Sequence, residues 1–106
     1  MRVYELKRDE ELADIKELMG SVTGRRFIYR LLKKSGCLDS PQIITDPLVV
    51  NHLEGQRSIG FDIFREVMDV APKKFIAMIM EAKEAIKHTE QLLEAERKQE
   101  EEKNNV

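Results

Sequence analysis

The sequence contains no tryptophan, a single cysteine and three prolines, and aromatic residues make up only 6% of its 106 positions. One cysteine cannot form an intramolecular disulfide, so a small secreted scaffold held together by internal disulfides is excluded. No apolar run approaches the roughly 20 residues that span a bilayer, and no apolar signal-type segment follows Met1. We therefore expect one soluble domain with no membrane partner.

Charged residues are abundant, at 36% of the chain, and they are unevenly distributed. The net charge is +3 over residues 1–35, −2 over residues 36–80 and −3 over residues 81–106. Many charges and few aromatic residues are typical of long solvated helices rather than of a β-sandwich. The polarised charge favours head-to-tail contacts between copies, or one basic surface that binds an acidic partner.

Helix signals predict an all-α fold, a small domain of about four helices with a long C-terminal helix of coiled-coil character. Thr23 is predicted to cap the second helix, Gly36 to end it, and Asn51 with Glu54 to form a capping box at the third. The predicted helices cover about 9–19, 24–35, 51–69 and 73–99. Residues 36–50 are rich in β-branched residues and predict an extended connector with room for a short strand. We expect a helical domain over 1–93 and a charged helix end or tail over 94–106.

The segment "GRRFIYRLLKK", Gly24 to Lys34, predicts an amphipathic helix with a basic face. At 100° per residue, the apolar side carries Phe27, Ile28, Leu31 and Leu32 and is predicted to form the core. The basic side carries Arg26, Arg30, Lys33 and Lys34. The four basic residues are candidates for contact with a partner or with phosphate. Because no aromatic residue is expected on their face for base stacking, a solvated helix face or ion pairing with carboxylates is favoured over binding of nucleic acid.

A regular apolar pattern runs along the last helix. Its positions are spaced 4, 3, 4, 3, 4 along the chain and comprise Phe75, Ile79, Ala82, Ile86, Thr89 and Leu93. This spacing is that of the a and d positions of close to three heptads. We name these positions the seam, and predict that it contacts a partner protein or a second copy of the chain.

The stretch "EGQRSIG", Glu54 to Gly60, places two glycines inside a predicted helix. Each costs up to about 1 kcal/mol relative to alanine, so a compensating contact is expected. We predict that Gly55 and Gly60 permit close approach of another backbone and that Arg57 is held there by a carboxylate or a carbonyl group. The alternative, a phosphate-cradling loop, lacks the glycine-rich run and the Lys-Ser/Thr ending of a P-loop, so packing is favoured.

The sequence predicts no catalytic residue, no metal ligand set and no cofactor. His52 and His88 are far apart, and neither has a second histidine or cysteine at metal-ligand spacing. Cys37 follows a predicted helix end, where the dipole disfavours the thiolate. The glutamates near the C-terminus form a solvated run rather than a carboxylate pair in an apolar setting. We expect a protein that is not an enzyme.

Several motifs together resemble a known family. The order and spacing of "GRRFIYRLL", Gly36, "EGQRSIGFDIF" and "FIAMIMEAKE" are similar to those of small, largely uncharacterised proteins of tailed bacteriophages, especially short-tailed ones. The matching positions are Gly24, Arg25, Arg26, Tyr29, Arg30, Leu31, Leu32, Gly36, Glu54, Gly55, Arg57, Gly60 and the stretch 72–83. The resemblance implies a head or portal-vertex component of a phage, because the genes of such proteins tend to lie among head, portal and packaging genes. It implies no enzymatic activity and no known ligand.

Two functional hypotheses follow from these features. The first is a structural or internal virion protein, made in the host cytoplasm, that acts as a helical adaptor in the head, portal or ejection assembly. Its partners are other virion proteins, and it is present as a homo-oligomer or in many copies. The alternative is a nucleic-acid-binding accessory protein in DNA packaging or regulation, which uses the basic residues of the second helix.

Overall fold

Four helices make up nearly all of the chain that the computed structural model describes, which is residues 2–39 and 45–105. They are α1 (Arg2–Met19), α2 (Val22–Ser35), α3 (Pro47–Val70) and α4 (Pro72–Asn104). The described ranges contain no strand. The predicted all-α fold with about four helices is therefore confirmed, while the coiled-coil character of the last helix stays a prediction.

The helix α1 begins at Arg2 rather than near residue 9. No glycine or proline interrupts the chain before Asp9, and Glu5 lies in the first turn, where the helix dipole favours an acid. Its Arg8 Nη1 donates hydrogen bonds to Glu66 of α3 at 2.9 Å and to Glu11 at 3.2 Å. These hydrogen bonds raise the pKa of Arg8 and join the exposed half of α1 to α3.

The start of α2 differs from the prediction because Ser21, not Thr23, is its N-cap. The Ser21 Oγ accepts a hydrogen bond from the backbone N–H of Gly24 at 3.0 Å. At the other end, Gly36 ends the helix as predicted, with a φ of 78° and its N–H donated to the Lys33 carbonyl group at 3.1 Å. This left-handed conformation costs glycine little.

The helix α3 starts at Pro47, so the predicted capping box at Asn51 and Glu54 is wrong. The Asp46 side chain instead accepts from the Leu48 N–H at 2.9 Å, and proline is well suited to the first helical position. Val49 and Val50 are consequently helical, and the predicted extended connector over 36–50 is shortened. Ile43 and Ile44, two of the β-branched residues of that connector, lie outside the described residues.

The hydrophobic core is small and lies where the four helices meet. Its buried members are Ile15, Met19, Ile28, Leu32, Val67, Ala71 and Met78. Ala71 joins α3 to α4, and its N–H donates to the Val67 carbonyl group at 2.8 Å. Next to this joint the Phe64 and Phe75 rings meet edge to face, with centroids 5.3 Å apart. The joint therefore sets the direction in which α4 leaves α3.

The helix α4 is much longer than the core it packs on. With 33 residues it is about 50 Å long, in a molecule of 74 × 39 × 16 Å. Every residue from 83 to 104 is exposed, and we call this segment the free end of α4. The helix runs through Leu93 to Asn104, so no change of secondary structure marks the predicted boundary at residue 93.

Candidate interaction surfaces

The predicted basic face of α2 lies on the surface. Arg26, Arg30, Lys33 and Lys34 are all exposed. Lys33 Nζ donates a hydrogen bond to Asp39 in the following loop at 2.7 Å, which raises the pKa of Lys33. Within the described ranges, the other three have no carboxylate within 4 Å. Three cations of one helix are thus available to a partner.

Phe27 was expected in the core, but it lies on the surface beside these cations. Its side chain is 45% exposed, and the Arg30 guanidinium lies 5.5 Å from the ring centroid. The buried direction of α2 is set by Ile28 and Leu32, and one residue along a helix is a rotation of 100°. The basic face therefore includes an aromatic ring, contrary to the sequence-based expectation.

Arg25 belongs to the core instead of to the basic face, and sequence analysis assigned it no site. Its Nη2 lies 2.7 Å from Glu81 Oε1 on α4, and its Nη1 donates to the Met19 carbonyl group at 2.9 Å. The Arg25 side chain is 9% exposed and that of Glu81 is 36% exposed. The signal was its spacing, because Arg25, Ile28 and Leu32 recur as i, i+3 and i+7. This ion pair joins α1, α2 and α4 just before the free end begins.

The α1–α2 corner also depends on Gly24, a small residue in the same helical turn as Arg25. Gly24 is buried, and a Cβ built on it would overlap the carbonyl oxygen of Leu18 and lie 2.9 Å from the Leu18 Cα. These are backbone atoms, which cannot rotate away as a side chain can. Gly24 thus allows the end of α1 to lie directly against the first turn of α2.

The predicted seam of α4 is divided into a covered part and an uncovered part. Phe75 and Ile79 pack on the core, and Ala82 is half-buried. Ile86 and Leu93 are 52% and 60% exposed. The same heptad spacing continues into Glu96 and Glu100. The uncovered part thus changes from apolar to acidic along the free end.

The Glu54–Gly60 stretch has its close contact at Gly60 alone. A Cβ at Gly60 would overlap the Ser35 Oγ and lie 2.6 Å from the Ser35 Cβ, at the end of α2. The expectation of a second close approach at Gly55 is wrong, because Gly55 is exposed and a Cβ there would meet nothing within 4 Å. The reason is helical geometry: five residues are 500°, which places the two glycines on different sides of α3.

Arg57 contacts residues of its own helix rather than bridging two segments through its charge. Its guanidinium lies 5.7 Å from the Phe61 ring centroid, and its Nη1 is 3.6 Å from Glu54 Oε1. Its Cγ lies 3.6 Å from where a Gly36 Cβ would be. The aliphatic part of Arg57 therefore packs on the end of α2, and the expected carboxylate is one turn away on α3.

Replacement of Gly60 by alanine should destabilise the fold by about 1–3 kcal/mol, because the new methyl group overpacks the contact with Ser35. The matched control is Gly55→Ala, which should stabilise the fold by up to about 1 kcal/mol, since alanine is the better helix former and the space is open. Urea denaturation followed by circular dichroism measures both changes. Equal effects of the two substitutions would contradict the proposed contact.

The residues considered for catalysis are separated in the structure. His52 Nε2 lies 3.2 Å from Gln56 Nε2 on α3, while His88 is exposed on the free end of α4. Cys37 is half-buried, with its thiol 3.7 Å from the Leu32 carbonyl oxygen. Over residues 2–39 and 45–105, no three His, Cys, Asp or Glu side chains are grouped so that they could hold a metal ion.

No helix within the part of the chain that the structure describes has the length and apolar character needed to cross a membrane.

Comparison with known proteins identifies a family for this chain. Neither the curated proteins nor the solved structures contain a significant match to the chain. The family model described as Bbp19-like phage protein matches residues 15–80, which is more than half of the sequence. The matched part begins at the first core residue of α1 and ends just before Glu81, so it excludes the free end of α4. The predicted resemblance to a phage protein family is confirmed, and the chain belongs to the family of Bbp19-like phage proteins.

Proposed function

We propose that this phage protein is a non-enzymatic component of the virion, a small helical adaptor in the head, portal or ejection assembly. In this role the free end of α4 binds a neighbouring subunit of the assembly. The observation that carries the proposal is the exposure of residues 83–104, which extend about 33 Å beyond the core as a continuous helix.

The free end gains little stability from contacts with the rest of its own chain. Most helical stability in proteins comes from packing of an apolar face, and over the described residues the free end has no such packing within the chain. Ile86, Leu92 and Leu93 are each more than half exposed on this segment. Burial of such side chains contributes about 1.5–3 kcal/mol each. A subunit that covers them would therefore stabilise the free end and gain binding energy from it.

The family supports a phage role, and the shape supports a binding role rather than a catalytic one. The residues of the core come from α1, α2, α3 and the first third of α4. The accessible surfaces include a helix end with apolar and acidic residues and a helix face with cations and an aromatic ring. Both are surfaces that protein partners use, with an apolar centre and charged surroundings.

Quantitative mass spectrometry of purified particles tests the proposal. The chain should be present in many copies per particle. In phage carrying Ile86→Asp and Leu93→Asp, incorporation should fall by at least about tenfold, since 1.4 kcal/mol is a factor of ten in affinity. The control is Lys87→Asp, an exposed charge about 100° around the same helix from Ile86. Absence of the wild-type chain from purified particles would contradict the proposal.

A second candidate is a nucleic-acid-binding accessory role, which the exposed Phe27 ring beside Arg26 and Arg30 favours. An aromatic ring among cations can stack on a base while the cations contact phosphates. If three or four phosphates are neutralised, binding of duplex or single-stranded DNA should weaken with a log–log salt slope of about −3. Arg26→Glu/Arg30→Glu should abolish that slope, and Phe27→Ala should weaken single-strand binding most. Salt-independent or undetectable binding would remove this candidate.

A further inference from the structure

We infer that the neighbouring subunit is a second copy of this chain, whose free end of α4 lies on the basic face of α2 in a head-to-tail contact. The inference rests on the proposed function and names the partner that the free end binds. It follows from how charge and apolar character are arranged along the two surfaces.

The uncovered seam changes character along its length. Ile86 and Leu93 are apolar, and the next seam positions, Glu96 and Glu100, are acidic. If two free ends packed in parallel register, each of these glutamates would face the same glutamate of the other chain. Repulsion between the like charges disfavours that arrangement. The seam instead fits a surface that is apolar first and basic afterwards.

The exposed face of α2 has this arrangement. Phe27 is exposed in its first half, and Arg30 and Lys34 follow on the same side in its second half. Phe27 and Lys34 are seven residues apart, as are Leu93 and Glu100, so each pair spans about 10 Å along its helix. In a parallel alignment, Leu93 of one copy lies on Phe27 of the next, Glu96 faces Arg30, and Glu100 faces Lys34.

The contact is not made within one chain. The ion pair of Arg25 with Glu81 fixes α4 beside the first turn of α2, and the free end begins two residues later. Within the described part of the molecule, its carboxylates have no basic partner outside α4 within 4 Å. Because the helix is continuous to Asn104, it contains no hinge that could return the glutamates to their own α2.

A contact of this kind joins two different surfaces, and each copy carries both. Such heterologous contacts close into rings or continue as filaments, depending on the rotation between copies. Either result gives many copies per assembly, as the proposed function requires. The apolar contact supplies affinity, while the ion pairs set direction and make the assembly sensitive to salt.

Sedimentation of the full chain with paired charge reversals tests the contact. Wild-type protein should form species larger than 12.3 kDa that dissociate as salt is raised. Arg30→Glu/Lys34→Glu and, separately, Glu96→Lys/Glu100→Lys should each weaken association at least about tenfold. An equimolar mixture of these two proteins, and the single chain with all four reversals, should recover it. Glu84→Lys/Glu102→Lys changes the net charge equally on the opposite side of α4 and should leave association unchanged.

Each other result overturns the inference. A wild-type chain that is monomeric at all concentrations excludes the contact. Charge-reversed proteins that associate as the wild type does also exclude it, as does a combination of the two reversals that fails to restore association. Circular dichroism confirms that each protein is folded. If the α2 reversal abolishes DNA binding while neither reversal changes the sedimenting species, the basic face serves nucleic acid instead. Presence of the chain in purified particles is measured separately, so a monomeric virion protein would remove this inference and retain the proposed function.

Discussion

Replacement of Gly24 by alanine is expected to lower the free energy of unfolding by about 4 kcal/mol or more, enough to unfold much of the protein. The added Cβ would overlap backbone atoms of Leu18, so no change of rotamer relieves it. To accept it, α1 and α2 must separate at their tightest point. That movement would expose Met19 and break the hydrogen bond from Arg25 to its carbonyl group, and both lie in the core.

Circular dichroism at increasing urea concentration measures this effect. Thr23→Ala is the matched control, because Thr23 is the preceding residue of the same turn and is exposed. It should change stability by no more than about 0.5 kcal/mol, as is usual for surface substitutions. A Gly24→Ala protein with the wild-type urea midpoint would show that the α1–α2 corner has room for a methyl group at Gly24.

Loss of Glu81 is expected to have the second largest effect, about 3 kcal/mol, because it leaves the buried Arg25 guanidinium without its carboxylate. Removal of one partner of a buried ion pair usually costs about 3–5 kcal/mol, and the lower value is expected here because the Glu81 side chain is partly exposed to water. The test is a double-mutant cycle of Arg25→Met, Glu81→Leu and their combination. Two apolar side chains of similar size restore packing without a buried charge, so the combination should be less destabilising than the sum of the single changes.

The pair formed by Arg8 and Glu66 is the control for that cycle. Arg8 is half exposed, so Arg8→Met should cost less than about 1 kcal/mol, as exposed ion pairs do. If the Arg25–Glu81 cycle gives no coupling energy, the two residues stabilise the corner independently. The assignment of this pair as the anchor of α4 would then be wrong.

Local sequence signals predicted the helices well, and their failures have physical causes. Gly36 was predictable because the left-handed conformation strongly favours glycine. The α3 start was missed because two capping signals compete within a few residues, and Asp46 with Pro47 is the stronger because proline also favours the first turn. Propensity alone does not reveal which cap the tertiary structure uses.

The candidate surfaces were predicted less completely, because burial is decided by neighbouring helices. The basic residues of α2 were found from their helical period, but Phe27 was placed in the core by hydrophobicity and Arg25 was left without a role by its charge. In the structure Phe27 is exposed and Arg25 is buried. The apolar ring lies in water because the core direction is 100° away, and the cation is buried because Glu81 neutralises it.

The uninterrupted course of α4 from the core to Asn104 also has a mechanical consequence. The free end is a lever of about 33 Å that is held at its base by the ion pair at Glu81. A gentle curvature of the helix that tilts the free end by about 10° moves its tip by about 6 Å, while the core residues of α4 before Glu81 stay in place. We expect labels on α3 and at Asn104 to show a spread of distances of this size in the free chain, which narrows on binding. Copies with identical cores can in this way reach attachment points whose separations differ by several ångströms.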